Sequence, residues 1–243
     1  MARFFLDGAS YDNGDAILYD TAHFHALRLR VGDEVTLCDG RGTDHLGLIT
    51  SLGRVAARVK LLSTSPSVGE PRTRLTVYLA FAKGERLDFA VQKCVELGAA
   101  AFVLFPSERA VARPEGKSLE NRLARLNSIA KSAAEQAGRG VIPRVTAAET
   151  FGDAVTDAAR ADLPLFPYEG ERYRGLLDTL GNGSAPDTVS IVTGAEGGFT
   201  PQEADAAVAA GMRSVTLGKR ILRCDTAPVA VTASVMLWMG ELG

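Results

Sequence analysis

The 243-residue sequence predicts an α/β protein built in two parts, a small β-barrel over residues 1–70 and a parallel-sheet domain over residues 71–243. Three observations lead there. Up to Ser67 the chain consists of short alternating apolar and polar runs broken by turn signals. From Ser63 to Pro71 the stretch STSPSVGEP interrupts that pattern with Ser, Pro and Gly, as a linker does. Beyond it compact apolar runs alternate with segments of helical spacing, the rhythm of strand and helix in a parallel sheet.

In the first part, Glu34 to Cys38 (EVTLC) and Arg54 to Leu62 (RVAARVKLL) read as strands, with turns at Val31-Gly32-Asp33 and Asp39-Gly40-Arg41-Gly42. In the second, the strand candidates are Leu75 to Phe81, Ala101 to Phe105, Leu163 to Phe166, Val189 to Thr193 and Ser214 to Leu217. Helical spacing covers Glu85 to Leu97, Leu123 to Ala137 and Thr226 to Met239, the last carrying the sole tryptophan, Trp238, as a packing residue.

A net charge of −2 argues against a surface built throughout to coat a polyanion. Locally the balance differs: Pro106 to Val145 holds eight basic and four acidic residues, which suits phosphate contacts or a solvated helix face equally well. No apolar stretch approaches the roughly 20 residues that cross a bilayer, and MARFFLDGAS lacks a signal-peptide core, so a cytoplasmic protein is expected. Cys38, Cys94 and Cys224 form no Cys-x-x-Cys pair, and His23, His25 and His45 share no ligand spacing with cysteines or carboxylates. Neither a disulfide framework, a redox motif nor a metal site is expected.

The most informative segment is VSIVTGAEGGFTPQEADAAVAA, Val189 to Ala210, where an apolar run empties into glycines and then a helix. Thr200 suits the N-cap, Pro201 the first helical position, Glu203 the reciprocal half of a capping box and Gly211 the stop. Gly194, Gly197 and Gly198 permit positive φ and a close backbone approach to a ligand, and Glu196 places one carboxylate in the bend. The loop lacks the spacing of a dinucleotide-binding fingerprint and the Gly-Lys-Ser/Thr ending of a P-loop, so nicotinamide redox chemistry and nucleotide hydrolysis are disfavoured.

GAEGGFTPQE followed by VTLGKRILRCDTA resembles the paired signature of the ribosomal small-subunit methyltransferase E family. QKCVELG (Gln92 to Gly98), PSER (Pro106 to Arg109), EQAGR (Glu135 to Arg139) and the stretch from His23 through Gly42 fit the same pattern, so the resemblance covers nearly the whole chain. The chain departs from it at Ala195, where the family usually has proline, and at Cys224-Asp225, where it usually has Thr-Glu.

This resemblance implies an S-adenosylmethionine-dependent methyltransferase domain of the trefoil-knotted SPOUT class, preceded by a PUA-like β-barrel that binds RNA. The implied reaction is methylation of a uridine N3 in 16S rRNA within the 30S subunit. The implied cofactor loops carry Phe166, Tyr168 and Glu169; Thr193, Gly194, Glu196, Gly197 and Gly198; and Leu217, Gly218, Ile221 and Leu222. For Phe166 and Ile221 core packing is an equal alternative. Because uracil N3 bears a proton, fixed cations beside the forming charge are useful, and Arg139 and Arg223 are the candidates, with Glu196 to orient one of them or take the proton; for each arginine a phosphate contact or a surface ion pair is the alternative. Arg3, His25, Arg28, Arg30, Arg41 and Arg109 are the expected RNA contacts, and a homodimer through the C-terminal domain is implied. A ribose 2′-O-methyltransferase of the same fold and a non-catalytic RNA-binding assembly protein remain the alternatives.

Overall fold

The computed structural model describes all residues except 7, 8, 13, 20, 182–184 and 243. The chain divides into two compact units, one of Met1–Glu70 with Ala134–Ile142, the other of Pro71–Ala133 with Pro143–Gly243.

In the first unit, strands β1 (Ala2–Phe5), β2 (Ser10–Asp12), β3 (Asp15–Leu18), β4 (Glu34–Cys38), β5 (Thr43–Leu52) and β6 (Ala57–Pro66) form one sheet in the order β1-β4-β5-β6-β3-β2, with helix α1 (Thr21–Ala26) between β3 and β4 in the chain. β1 runs parallel to β4, and the other pairings are antiparallel. Alternation places Val35 and Leu37 of β4 and Ala57 and Val59 of β6 in a shared core, where Phe4 stacks on Phe24 at 4.0 Å. The β5–β6 register slips at Leu46/Gly47 and Ile49/Ser51, irregularities that bend a sheet. The expected linker is shorter than its composition suggests: Ser63 to Pro66 pair with β5 as the last residues of β6, where Thr64 also meets the His45 ring at 2.9 Å through its hydroxyl.

The segment Ala134–Ile142 is tied into this unit by polar contacts. The Arg139 guanidinium donates to both carboxylate oxygens of Glu70, at 2.9 and 2.8 Å, and Glu70 also accepts the backbone N–H groups of Gly140 and Val141. Arg3 forks onto Asp44 and donates to the Arg139 carbonyl at 2.9 Å.

The second unit contains β7 (Arg74–Ala80), α2 (Arg86–Glu96), β8 (Ala101–Phe105), most of α3 (Gly116–Gln136), β9 (Arg144–Ala147), α4 (Phe151–Ala158), β10 (Leu163–Pro167), α5 (Leu176–Leu180), β11 (Thr188–Thr193), α6 (Pro201–Ala209), β12 (Arg213–Val215) and α7 (Thr226–Trp238). All its strands are parallel, in the order β12-β10-β11-β7-β8-β9. β10 is buried along its whole length, and so is β11 beyond its first residue, as strands covered on both faces must be. The predicted strands and helices appear with ends moved by a few residues, most at α3, which begins at Gly116 rather than Leu123. Phe105, Phe166 and Phe199 are fully buried beside Val192 and Met212 in the core, and Trp238 donates its indole N–H to the Gly181 carbonyl at 3.0 Å.

Chain order leaves β7 toward β8 and β9 on one side, then returns to build β10, β11 and β12 on the other. In open α/β sheets ligands bind outside the carboxyl ends of strands near such a reversal. Those ends are Pro167, Thr193 and Val215.

Candidate functional site

A cleft of about 870 Å³ opens beyond these strand ends, and three loops line it: Pro167 to Arg172 after β10, Thr193 to Phe199 after β11, and Thr216 to Cys224 after β12. Arg86 and Ala227 complete the wall.

The start of α6 shapes the middle loop. Thr200 caps the helix by accepting the Glu203 N–H at 3.1 Å, and Glu203 returns a carboxylate oxygen to the Thr200 N–H at 2.9 Å, the expected capping box. The other oxygen of this buried carboxylate accepts the Glu108 N–H at 2.8 Å, which fixes the PSER turn against the helix start. Of the three loop glycines only Gly198 has a left-handed backbone, with φ +64°, and a Cβ there would collide with the Glu169 carboxylate. Gly197 is needed for space instead, since a Cβ would lie 2.9 Å from Arg109 Cβ and 3.1 Å from its carbonyl oxygen. The same approach lets Arg109, expected as an RNA contact, donate to the Gly197 carbonyl at 3.2 Å.

Of the expected cofactor residues, Tyr168, Glu169, Thr193, Gly194, Glu196, Gly197, Gly198, Leu217, Gly218, Ile221 and Leu222 line the cleft. Phe166 does not: it is fully buried and packs on Phe199 at 4.6 Å, the core alternative. Ile221 is 79% exposed at the rim. Arg223 lies in the lining, and its carbonyl accepts the Thr226 and Ala227 N–H groups that open α7. Arg139 lies in the other unit, where it is 3% exposed and forked onto Glu70.

The arginine that does meet Glu196 is Arg86, a residue that sequence reasoning misses because it stands in no recognisable motif. Its guanidinium lies 2.6 Å from the carboxylate, which also accepts the Lys83 N–H at 3.0 Å. Burial pushes Glu196 upward, but backbone N–H groups and Arg86 outweigh it and hold the carboxyl below its ordinary range. Cys224 shares this corner. Its burial and the nearby Glu196 charge push the thiol up, partly offset by Arg86.

In the first unit the expected RNA residues divide. His25, Arg28, Arg30 and Arg41 are exposed, whereas Arg3 is turned inward onto Asp44 and is spent on structure. Among the described residues no group of three or more His, Cys, Asp or Glu is placed to hold a metal ion, and no helix is long and apolar enough to cross a membrane.

A family model described as an RNA methyltransferase domain matches residues 69–236, and one described as an RNA methyltransferase PUA domain matches residues 20–62. The ribosomal RNA small subunit methyltransferase E of Synechocystis sp. is 34% identical over 220 residues, covering 88% of this chain and 71% of that protein. The chain belongs to the ribosomal RNA small subunit methyltransferase E family. The member from Mycobacterium bovis is 29% identical, covering 96% of this chain and 90% of its own. A crystal structure of the family member from Neisseria gonorrhoeae, bound to S-adenosyl methionine, superposes with a TM-score of 0.86 at 32% identity over the full length of both chains. The parallel-sheet methyltransferase fold with an N-terminal PUA-like sheet is therefore the fold of this chain.

Proposed function

We propose that this protein transfers the methyl group of S-adenosylmethionine to N3 of a uridine in 16S rRNA of the small ribosomal subunit, in the cytoplasm. The single observation that supports it most is the convergence of three loops on one cleft at the carboxyl ends of β10, β11 and β12. The gonococcal relative, alike over its whole length, was solved with this cofactor.

The residues present fit the cofactor. Gly194, Gly197 and Gly198 present main chain in the cleft wall, and Leu217 and Leu222 offer apolar surface for an adenine. When bound, S-adenosylmethionine supplies an electrophilic methyl on a sulfonium, so the protein's task is alignment of the nucleophile and handling of its proton. We assign Arg223 to stabilise the charge that develops on the uracil ring as the proton leaves N3. Glu196, ionised and held by Arg86 and the Lys83 N–H, orients that corner of the cleft. Tyr168 and Glu169 line the cleft from the loop after β10.

The proposal includes the trefoil knot of this fold class, separate barrel and catalytic domains divided near residue 70, and a homodimer. Helix α7 supports the dimer: it carries no charged residue, with Leu237 64% exposed and Val229, Ala230 and Ala233 partly so, a face suited to a second copy. Sedimentation showing a monomer at micromolar concentration would remove it.

The reaction is tested by incubating the protein with methyl-labelled S-adenosylmethionine and small subunits lacking late modifications, then identifying the labelled nucleoside by mass spectrometry. Label in 3-methyluridine is expected. Label on ribose would overturn the assigned atom, and cofactor binding with no label would favour a binding protein.

A further inference from the structure

Tyr173 is 95% exposed, whereas Phe199 in the cleft wall is buried and Tyr168 beside it is partly so. Its presentation is built. One Glu171 carboxylate oxygen accepts the backbone N–H groups of Arg172, Tyr173 and Arg174 at 2.9, 2.8 and 3.2 Å, and these bonds hold Glu171 below the ordinary carboxylate range. The turn is then stitched to the loop after β12: the Arg174 carbonyl accepts the Thr216 N–H at 2.8 Å, and the Leu176 N–H donates back to Thr216 at 3.2 Å.

Two short segments are thereby fixed side by side, Arg172 to Arg174 and Lys219 to Arg223. Their eight residues include five cations and no carboxylate. All five cations are exposed, and among the described residues none of their side chains is engaged in an ion pair. Arg172, Lys219, Arg220 and Arg223 also border the cleft. An exposed, backbone-anchored tyrosine between cations offers what single-stranded nucleic acid uses: a π-face for a base and charges for phosphates.

We propose that this lip is a clamp for single-stranded RNA, in which Tyr173 stacks on an unpaired base and the surrounding cations hold flanking phosphates. The proposal rests on the RNA substrate inferred above and names where that RNA is gripped. A duplex offers no unstacked base to such a ring, so the substrate enters as a loop or opened strand.

The test uses the full-length protein and a short fluorescein-labelled single-stranded oligouridylate, read by anisotropy over a range of salt. Tyr173→Ala is expected to weaken binding about tenfold, while Tyr173→Phe, which keeps the ring, stays within about twofold of wild type. Arg174→Ala should lower the slope of log affinity against log salt by about 0.7. Calorimetry with S-adenosylmethionine should show both alanine variants unchanged in cofactor affinity. Wild-type oligouridylate affinity in Tyr173→Ala, or an unchanged salt slope in Arg174→Ala, overturns the clamp. The methyl-transfer reading fails separately: Tyr173-dependent RNA binding without any transfer would keep the clamp and remove the chemistry. Transfer to small subunits with wild-type KM in Tyr173→Ala would do the reverse.

Discussion

Arg86 and Glu196 meet at 2.6 Å, joining the first residue of α2 to the glycine loop after β11. Both side chains are partly exposed, so the pair contributes little to stability. Its value lies in fixing a carboxylate that would otherwise swing. Arg86→Ala should leave the urea midpoint nearly unchanged and weaken S-adenosylmethionine binding about three- to tenfold, or roughly 0.7–1.4 kcal/mol. A large loss of stability with intact affinity would contradict this.

Gly198→Ala forces a left-handed backbone on a residue with a Cβ and drives that Cβ into Glu169. The strain is about 1–2 kcal/mol before the collision. Cofactor affinity is expected to fall more than tenfold, while circular dichroism shows the helices retained.

Glu70 and Asp44 give the first unit its response to acid. Burial raises both carboxyls, but the guanidinium of Arg139 beside Glu70 and that of Arg3 beside Asp44 outweigh it, so both sit lower than their ordinary values of 4.5 and 3.8. A depressed carboxylate adds stability that is present above its ordinary value and lost as the pH falls through the folded one. Stability should decline below about pH 5. Glu70→Gln should flatten part of that decline. At neutral pH it should lower stability, because a neutral amide no longer balances the guanidinium of Arg139, which is only 3% exposed. Urea titrations of both proteins across pH measure the two effects together.

The three thiols should separate by reactivity. Cys38 and Cys94 are fully buried, and burial pushes Cys94 up to about 12, whereas Cys224 is partly exposed in the cleft wall. Iodoacetamide on the native protein should label Cys224 first and Cys94 only after unfolding. S-adenosylmethionine should slow labelling at Cys224, as peptide mapping would show; equal rates with and without it would place the cofactor elsewhere.

The legible features were those encoded locally. The capping box of Thr200 and Glu203 needs only four consecutive residues, and the buried strands β10 and β11 announce themselves as apolar runs. Short elements such as β9, with four residues, and α5, with five, offer too little periodicity to read. Side-chain partners were harder still. EQAGR suggested a reactive place for Arg139, but its partner Glu70 is 69 residues away in sequence, and nothing in the spacing reveals that pairing. Arg86 is illegible for the same reason, since only the fold brings Glu196 to it. Phe166 illustrates a different limit, because a core ring and a ligand-lining ring obey the same hydrophobic pattern.

The inclusion of Ala134–Ile142 in the first unit bears on how the protein is made. A ribosome finishes Met1–Glu70 and then spends Pro71–Ala133, 63 residues, before it supplies Arg139 and its neighbours. At about 5–20 residues per second that interval lasts roughly 3–13 s. Throughout it Glu70 and Arg3 lack groups that complete their hydrogen bonding in the finished unit, so the nascent sheet waits for a piece encoded downstream. A gene fragment stopped at codon 70 would therefore encode an incomplete unit, and adding the downstream strip as a separate peptide should raise its melting temperature.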